Sequence, residues 1–220
     1  MLNNIKYNEI NMKLNEKNIN KSIDEKEIFK ILNLLTMEDI ISFISDYLVN
    51  ILIKNKDKTK SQIDNKDDPL YSNKIPIIKI EDYFLRLVKY SKMEISTLVL
   101  AFIYIKRFIY KEKFIIGFNN IFRLIISCSL LAIKFNEKRT FKNTYYAKIG
   151  GLDVKDLNNL EYNIFCRLNF HLRVLDSEFY EIISLIYKDK SNNNLWKNIF
   201  WEKGKIVHKI YLYKTLMKCI

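Results

Sequence analysis

The most constraining feature of this sequence is a helical segment between residues 118 and 135 that is apolar around almost its whole circumference. One set of apolar residues recurs at helical spacing, and a second set fills the neighbouring face. The first set is Ile121, Leu124, Ile125, Cys128, Ala132 and Phe135, and the second is Phe122, Ile126, Leu130 and Ile133. Arg123, Ser127 and Lys134 form a narrow polar stripe. We expect other helices to enclose this segment and to leave the stripe open.

Composition favours an all-α fold around that segment. The chain has 220 residues, of which 49% are hydrophobic, so it can bury one substantial core. It contains only four Gly and two Pro, the residues that punctuate strand-and-turn architectures. We therefore predict a helical protein with one domain and flanking helices.

Helical patterns and composition divide the chain into five segments. They are a low-complexity start with a short helix (1–37), an amphipathic helix (38–54), a polar linker (55–74), a five-helix unit (75–175) and C-terminal helices (176–220). The last of these helices, at about 195–219, is rich in lysine and aromatic residues.

Capping residues mark several helix boundaries. Thr36 followed by Asp39, and Asp153 followed by Asp156, resemble capping boxes, in which side chains satisfy free amides at a helix start. The pair Gly150-Gly151 predicts a helix end, because glycine adopts the left-handed conformation readily.

Charge and cysteine content narrow the classes of partner. The net charge of +12 would suit nucleic acid, but the lysines are scattered among abundant Asn and Ile, so we do not expect nucleic acid as the main partner. Cys128, Cys166 and Cys219 are far apart and lack a C-x-x-C pair or a histidine at ligand spacing. This pattern favours a reducing compartment, with Cys128 and Cys166 as small buried hydrophobic residues.

The sequence carries no membrane or targeting signal. Its longest apolar run, near 124–133, is far shorter than the roughly 20 residues that span a bilayer. Residues 1–20 are polar and lack the apolar core of a signal peptide. We expect a protein of the cytoplasm or nucleus that does not bind membranes.

Catalytic motifs are also missing. There are only two histidines, His171 and His208, and no Gly-rich phosphate loop, nucleophile elbow or run of metal ligands. We expect a binding module and not an enzyme, with no cofactor, metal or small-molecule substrate.

Glu161 is the charged residue that fits its surroundings least well. It lies at helical spacing from Leu157, Ile164 and Leu168, so its carboxylate is on or beside an apolar face, where desolvation is costly without a partner. Glu161 could instead lie at the edge of that face and reach water. Lys134 could simply complement the dipole at the end of its helix, or both residues could engage a partner protein.

Two further motifs identify a family resemblance. Ala132-Ile133-Lys134-Phe135-Asn136-Glu137 resembles the A-x-K-[FY]-x-[ED] ending of the third helix of a cyclin box, and Leu160-Glu161 resembles the L-E of its fifth helix. Tyr145-Tyr146-Ala147-Lys148-Ile149-Gly150-Gly151, followed by Leu157-Asn158-x-Leu160-Glu161, narrows the resemblance to the P-type (phosphate-regulon-like) cyclins, which carry a single box. The similarity covers about residues 75–185.

The resemblance implies both a fold and a function. The fold is a single five-helix cyclin box at 75–175 with flanking N- and C-terminal helices. The function is that of a regulatory subunit that binds and activates a cyclin-dependent serine/threonine kinase in cell-cycle or nutrient-linked control. Lys134 and Glu161 match the two cyclin residues that engage the kinase, and Phe135, Phe165 and Phe170 would anchor it through apolar contacts.

The sequence also departs from the family pattern. Lys106 stands where the family usually has Asp, and no Arg precedes the first box helix, so we expect packing and not an ion pair to brace the box. The M-R-A-I-L docking motif of cell-cycle cyclins is absent. The alternative function is a non-activating cyclin-fold adaptor, or a transcription-type protein that binds nucleic acid through its lysine-rich terminal segment.

Overall fold

Helices make up all the regular secondary structure of the computed structural model, which describes residues 25–55 and 67–191. Within these ranges there are eight helices and no strand, which confirms the all-α prediction. They are α1 (Glu25–Leu34), α2 (Met37–Asn55), α3 (Ile80–Ser91), α4 (Ile95–Lys111), α5 (Ile121–Asn136), α6 (Asn143–Gly150), α7 (Val154–Arg167) and α8 (Asp176–Ser191). The low-complexity start and the lysine-rich helix predicted at 195–219 lie outside the described residues.

Helix α5 is the centre of the core. Every residue from Ile121 to Ile133 except Arg123 is buried, because α4 and α7 pack extensively along it. Helix α4 is nearly as enclosed, with a continuous buried run from Thr97 to Ile105. Such near-complete burial is expected for helices that are apolar on all sides.

The polar stripe on α5 is not open to solvent, so that prediction is wrong for two of its three residues. Ser127 is buried, and its hydroxyl donates to the carbonyl oxygen of Arg123 at 2.7 Å. The Arg123 guanidinium pairs with Asp156 of α7 and donates to the carbonyl oxygen of Pro69 at 2.9 Å. Helix α7 can cover the stripe because Asp156 neutralises the arginine. Lys134 remains exposed at the end of the helix.

The predicted caps form, with one difference. The Thr36 amide donates to Asp39 Oδ2 at 2.8 Å, and the Asp39 amide donates to Thr36 Oγ1 at 3.2 Å, which is a reciprocal capping box. Asp153 caps α7 by accepting from the Lys155 amide at 2.8 Å. Asp156 does not reach back to complete a second box, since its carboxylate binds Arg123.

Ion pairs brace the box, so the expectation that packing alone does so is also wrong. Arg107 pairs with Glu178 of α8, and Arg167 pairs with both Asp68 and Glu112, at 2.8 and 2.9 Å. The Arg167 guanidinium also stacks over a phenylalanine ring of α4, 4.5 Å from its centroid. These arginines connect elements that are far apart in sequence, so ion pairs contribute to the bracing although position 106 is a lysine.

Helix α6 is attached to α3 through the motif that contains the paired glycines. The Tyr83 hydroxyl donates to the Gly150 carbonyl at 3.1 Å, and the Tyr145 hydroxyl donates to the Tyr90 carbonyl at 2.9 Å. A Cβ atom on Gly150 would lie 3.0 Å from a side-chain carbon of Ile126, so glycine permits the close approach of α6 to α5. Gly151, at a φ of 71°, ends α6 as predicted.

The flanking segments pack against the box. Leu70, within the predicted linker, is fully buried, and the Ser72 amide donates to the Asn119 carbonyl at 2.8 Å. Helix α8 packs on α1, α2 and α4, and Lys190 Nζ binds both the Leu34 carbonyl and Asp39 Oδ2, at 2.6 and 2.8 Å. The domain boundaries remain a prediction.

The link between Lys190 and Asp39 predicts a pH-dependent stability. Burial alone would raise the pKa of Asp39, but hydrogen bonds from Lys190 and Thr36 hold the pKa below the ordinary value of 3.8. A carboxylate with a lowered pKa in the folded state stabilises the fold above its ordinary pKa, and this stabilisation is lost as the pH falls through the lowered value. Asp39→Asn should therefore be less stable than the parent chain at neutral pH, and the difference should shrink in acid.

Urea unfolding between neutral pH and about pH 3 measures this difference. Asp82→Asn, on the exposed face of α3, is a suitable control for removal of a surface carboxylate. A difference between Asp39→Asn and the parent chain that stays constant across the range would contradict the prediction.

Candidate docking groove

An open groove of about 410 Å³ lies between the last turns of α5 and the neighbouring face of α7. From α5 it is lined by residues 131, 134 and 135, and from α7 by residues 158, 161, 162 and 165. Each set follows the three- and four-residue spacing of one helix face. The complete lining is Leu131, Lys134, Phe135, Asn158, Glu161, Tyr162, Phe165 and Leu172.

A charged pair forms the polar end of this groove. Lys134 Nζ lies 2.6 Å from Glu161 Oε1 and 2.8 Å from Glu161 Oε2. The lysine side chain is 37% exposed and the glutamate side chain 18% exposed. Glu161 therefore does not lie unpaired on an apolar face, since it has a cationic partner within its own chain, and it keeps a small exposed fraction at the edge of the groove.

A second donor holds the same carboxylate. Asn143, the first residue of α6, donates from Nδ2 to Glu161 Oε2 at 2.9 Å. The same nitrogen donates to Asn158 Oδ1 at 2.7 Å. Three helices therefore converge at the polar end of the groove.

Aromatic side chains form the exposed apolar wall. Phe135 is 53% exposed and Tyr162 is 69% exposed, whereas Phe165 is half-buried. Phe170 is exposed beside the groove and meets the Phe165 ring edge-on, with centroids 4.9 Å apart. Clustered exposed aromatic residues are typical of protein interaction sites.

Phe170 is held in a conformation that is unfavourable for a bulky residue. Asn169 and Phe170 have φ angles of 54° and 60°, in the left-handed region. Their amides donate to the carbonyl oxygens of Cys166 and Phe165, at 2.8 and 3.0 Å, which ends α7 and turns the Phe170 ring against Phe165. A left-handed residue with a side chain costs about 1–2 kcal/mol.

Of the five residues predicted from the sequence, four line the groove and Phe170 packs beside it. Sequence reasoning missed Leu131, Asn158, Tyr162 and Leu172. Helical spacing could have identified the first three. Leu131 lies three residues before Lys134 and Asn158 three residues before Glu161, on the same helix faces, and Tyr162 directly follows Glu161 at the border of that face. Asn143 and Leu172 come from other parts of the chain and carried no such signal.

Cysteine burial, the distribution of possible metal ligands and the apolar character of the helices bear on functions outside the groove. Cys128 is fully buried in α5, as predicted, and burial raises the pKa of its thiol. The prediction is wrong for Cys166, which is only half-buried. Within residues 25–55 and 67–191, no group of three or more His, Cys, Asp and Glu side chains could hold a metal ion. None of the helices in those ranges combines the length and the apolar character that crossing a membrane requires.

Comparison with known proteins identifies the family of this chain. The family model described as cyclin matches residues 31–172, which is more than half of the chain. The chain therefore belongs to the cyclin family, whose members are regulatory and not catalytic.

Plant cyclins of the U and P types are among its relatives. The chain is similar to Cyclin-U2-1 of Arabidopsis thaliana, with 34% identity over 146 residues, 66% of each chain. It is 30% identical to Cyclin-U4-1 of Arabidopsis thaliana over 158 residues, 70% of this chain and 77% of the relative. With Cyclin-P3-1 of Oryza sativa subsp. japonica it shares 29% identity over 136 residues, 61% of this chain and 58% of the relative. These matches confirm the resemblance to single-box cyclins of the P type.

The left-handed conformation of Phe170 leads to a stability prediction. Phe170→Ala removes the ring and keeps the backbone strain, whereas Phe170→Gly removes both. The glycine variant should therefore be more stable than the alanine variant by about 1 kcal/mol. This order is the reverse of the usual one, in which glycine is the less stable of the two.

Urea unfolding of the two variants gives the comparison directly. Ile77 offers a matched control, because it is an exposed apolar residue of a connection and is not among the residues with positive φ. At Ile77 the alanine variant should be at least as stable as the glycine variant. The same order at Phe170 would show that its conformation is not strained.

Proposed function

We propose that this cyclin binds a cyclin-dependent serine/threonine kinase through the groove between α5 and α7 and thereby activates it. The observation that carries the proposal is the partly exposed pair of Lys134 and Glu161 at one end of an exposed aromatic wall. These two residues match the positions through which cyclins engage their kinases. A groove with one charged end and apolar walls suits an amphipathic helix.

The proposed mechanism is positional. Active kinases require a glutamate on a mobile helix to pair with the lysine that anchors ATP. A cyclin that holds this helix in the groove favours the paired arrangement over the inactive one. In this mechanism the kinase supplies the catalytic groups, and the role of the cyclin in cell-cycle or nutrient-linked control would follow from when it is present.

Partial exposure of the charged pair is central to its proposed role. In the free protein, a pair with a 37% exposed lysine contributes at most about 1 kcal/mol to stability, because water screens it. A docked helix would exclude that water, so removal of one partner would leave the other buried and unpaired. Such a loss typically costs about 2–5 kcal/mol of binding free energy.

The charged pair can therefore be tested by its separate effects on binding and stability. Lys134→Ala and Glu161→Ala should each weaken kinase binding by about 2 kcal/mol or more, and should change the free energy of unfolding by less than about 1 kcal/mol. Tagged full chains expressed in their own cells would be assayed for the co-purifying kinase and for its activity. Lys155→Ala, an exposed lysine of α7 outside the groove, is the matched control.

A charge swap distinguishes direct contact of the pair with the kinase from a role in which the pair only stabilises the groove. Lys134→Glu combined with Glu161→Lys keeps an ion pair but reverses its direction, so the fold should remain stable while the kinase meets the wrong charge at each position. Kinase binding by the swapped chain at the level of the parent would show that the pair does not contact the kinase. Normal kinase binding by both single alanine variants would rule out this groove. Binding of the kinase by the parent chain without activation would favour the adaptor function.

A further inference from the structure

We propose that Asn143 and Asn158 are further determinants of kinase docking: Asn143 positions the Glu161 carboxylate, and Asn158 contacts the kinase. The inference rests on the proposed function of the groove. It adds one residue from α6 and one from α7 to those that determine the affinity for the kinase. The basis is a hydrogen-bond network that joins both asparagines to Glu161.

Asn143 is placed to act on the groove and not on its own helix. It is the first residue of α6, and the residue that precedes it, Lys142, makes no side-chain cap. The hydrogen bonds given by Asn143 Nδ2 go to Glu161 and Asn158, both on α7. An amide nitrogen has two hydrogens, so these two bonds use its full donor capacity.

Glu161 is held from two sides as a result. Lys134 approaches from α5 and contacts both carboxylate oxygens, while Asn143 approaches from α6 and contacts Oε2. The lysine has a long flexible stem and is more exposed than the glutamate, so it fixes the carboxylate only loosely. The short Asn143 side chain fixes it in one orientation before any partner arrives, which lowers the entropy lost on binding.

Asn158 is oriented by the same contact. Its oxygen accepts from Asn143, so its amide nitrogen is the end left for other partners. Asn158 is exposed and lines the groove beside Glu161, one helical turn earlier on α7. Its free N–H groups can donate to backbone carbonyl oxygens of a docked kinase segment.

Two substitutions at position 143 distinguish positioning from a structural role. Asn143→Ala removes the donor and should weaken kinase affinity about five- to tenfold. Asn143→Asp has the same shape, but it places a carboxylate against Glu161, so its loss should be larger. A purely structural role predicts that each variant loses affinity only in step with its loss of thermal stability, whereas positioning predicts a loss of affinity in Asn143→Ala without a matching loss of stability.

The measurement is a titration of the purified full chain with recombinant kinase of the kind that co-purifies with it. Thermal unfolding of each variant verifies the fold. Asn158→Ala should weaken binding, whereas Asn159→Ala, the neighbouring exposed asparagine outside the groove, should not. Equal affinities of the parent, Asn143→Ala and Asn143→Asp would overturn the role of Asn143, and unchanged affinity of Asn158→Ala would overturn that of Asn158.

A double-mutant cycle tests whether Asn143 acts through Glu161. In a Glu161→Ala background, Asn143→Ala should cause a smaller loss of affinity than in the parent chain, because only its contact with Asn158 is left to lose. Fully additive losses would overturn the mechanism. If the Lys134 and Glu161 variants are impaired but the asparagine variants are not, only this inference fails. If the charged-pair variants also bind normally, the groove itself is the wrong site.

The contact between Asn143 and Glu161 can also be tested in the absence of the kinase. The side-chain amide signals of Asn143 in an NMR spectrum of the free chain should shift in Glu161→Ala. They should stay unchanged in Asn159→Ala. Signals that do not respond to Glu161→Ala would show that Asn143 does not hold this carboxylate.

Discussion

Helix α5 loses almost all contact with water, and the rest of the fold is arranged to make this possible. Its residues from Ile121 to Ile133 are buried with the exception of Arg123, so helices must lie on every side of that length. The enclosure ends at the last turn, where Lys134 and Phe135 emerge into solvent. The groove is therefore the place where the surrounding helices stop covering α5.

Two charge pairs connect α5 with α7, and their different exposure gives them different roles. Arg123 and Asp156 meet where α7 covers α5, and the arginine side chain is only 17% exposed. That pair lets a polar residue lie within a packed interface. Lys134 and Glu161 meet where the cover ends, so their pair stays accessible. The same kind of ion pair thus lies within a packed interface at one point and borders an open groove at another.

Much of this architecture follows from local sequence patterns. The central helix, expected between residues 118 and 135, spans Ile121–Asn136, and the caps at Thr36 and Asp153 form as their spacing predicts. These features depend on residues within a few positions of each other, so periodicity and capping chemistry suffice to predict them. The family motifs added Lys134 and Glu161, which helical spacing alone left with two interpretations each.

The sequence by itself determined which helices form, which of their faces are apolar and which family the motifs indicate. Tertiary structure alone decided which polar side chains on those faces are covered and which stay open. Ser127 and Lys134 looked alike in the pattern, yet one is buried and the other exposed. The reason is physical: coverage depends on partners that are distant in the chain, such as Asp156 for Arg123 and Asn143 for Glu161, and local spacing carries no information about where they lie.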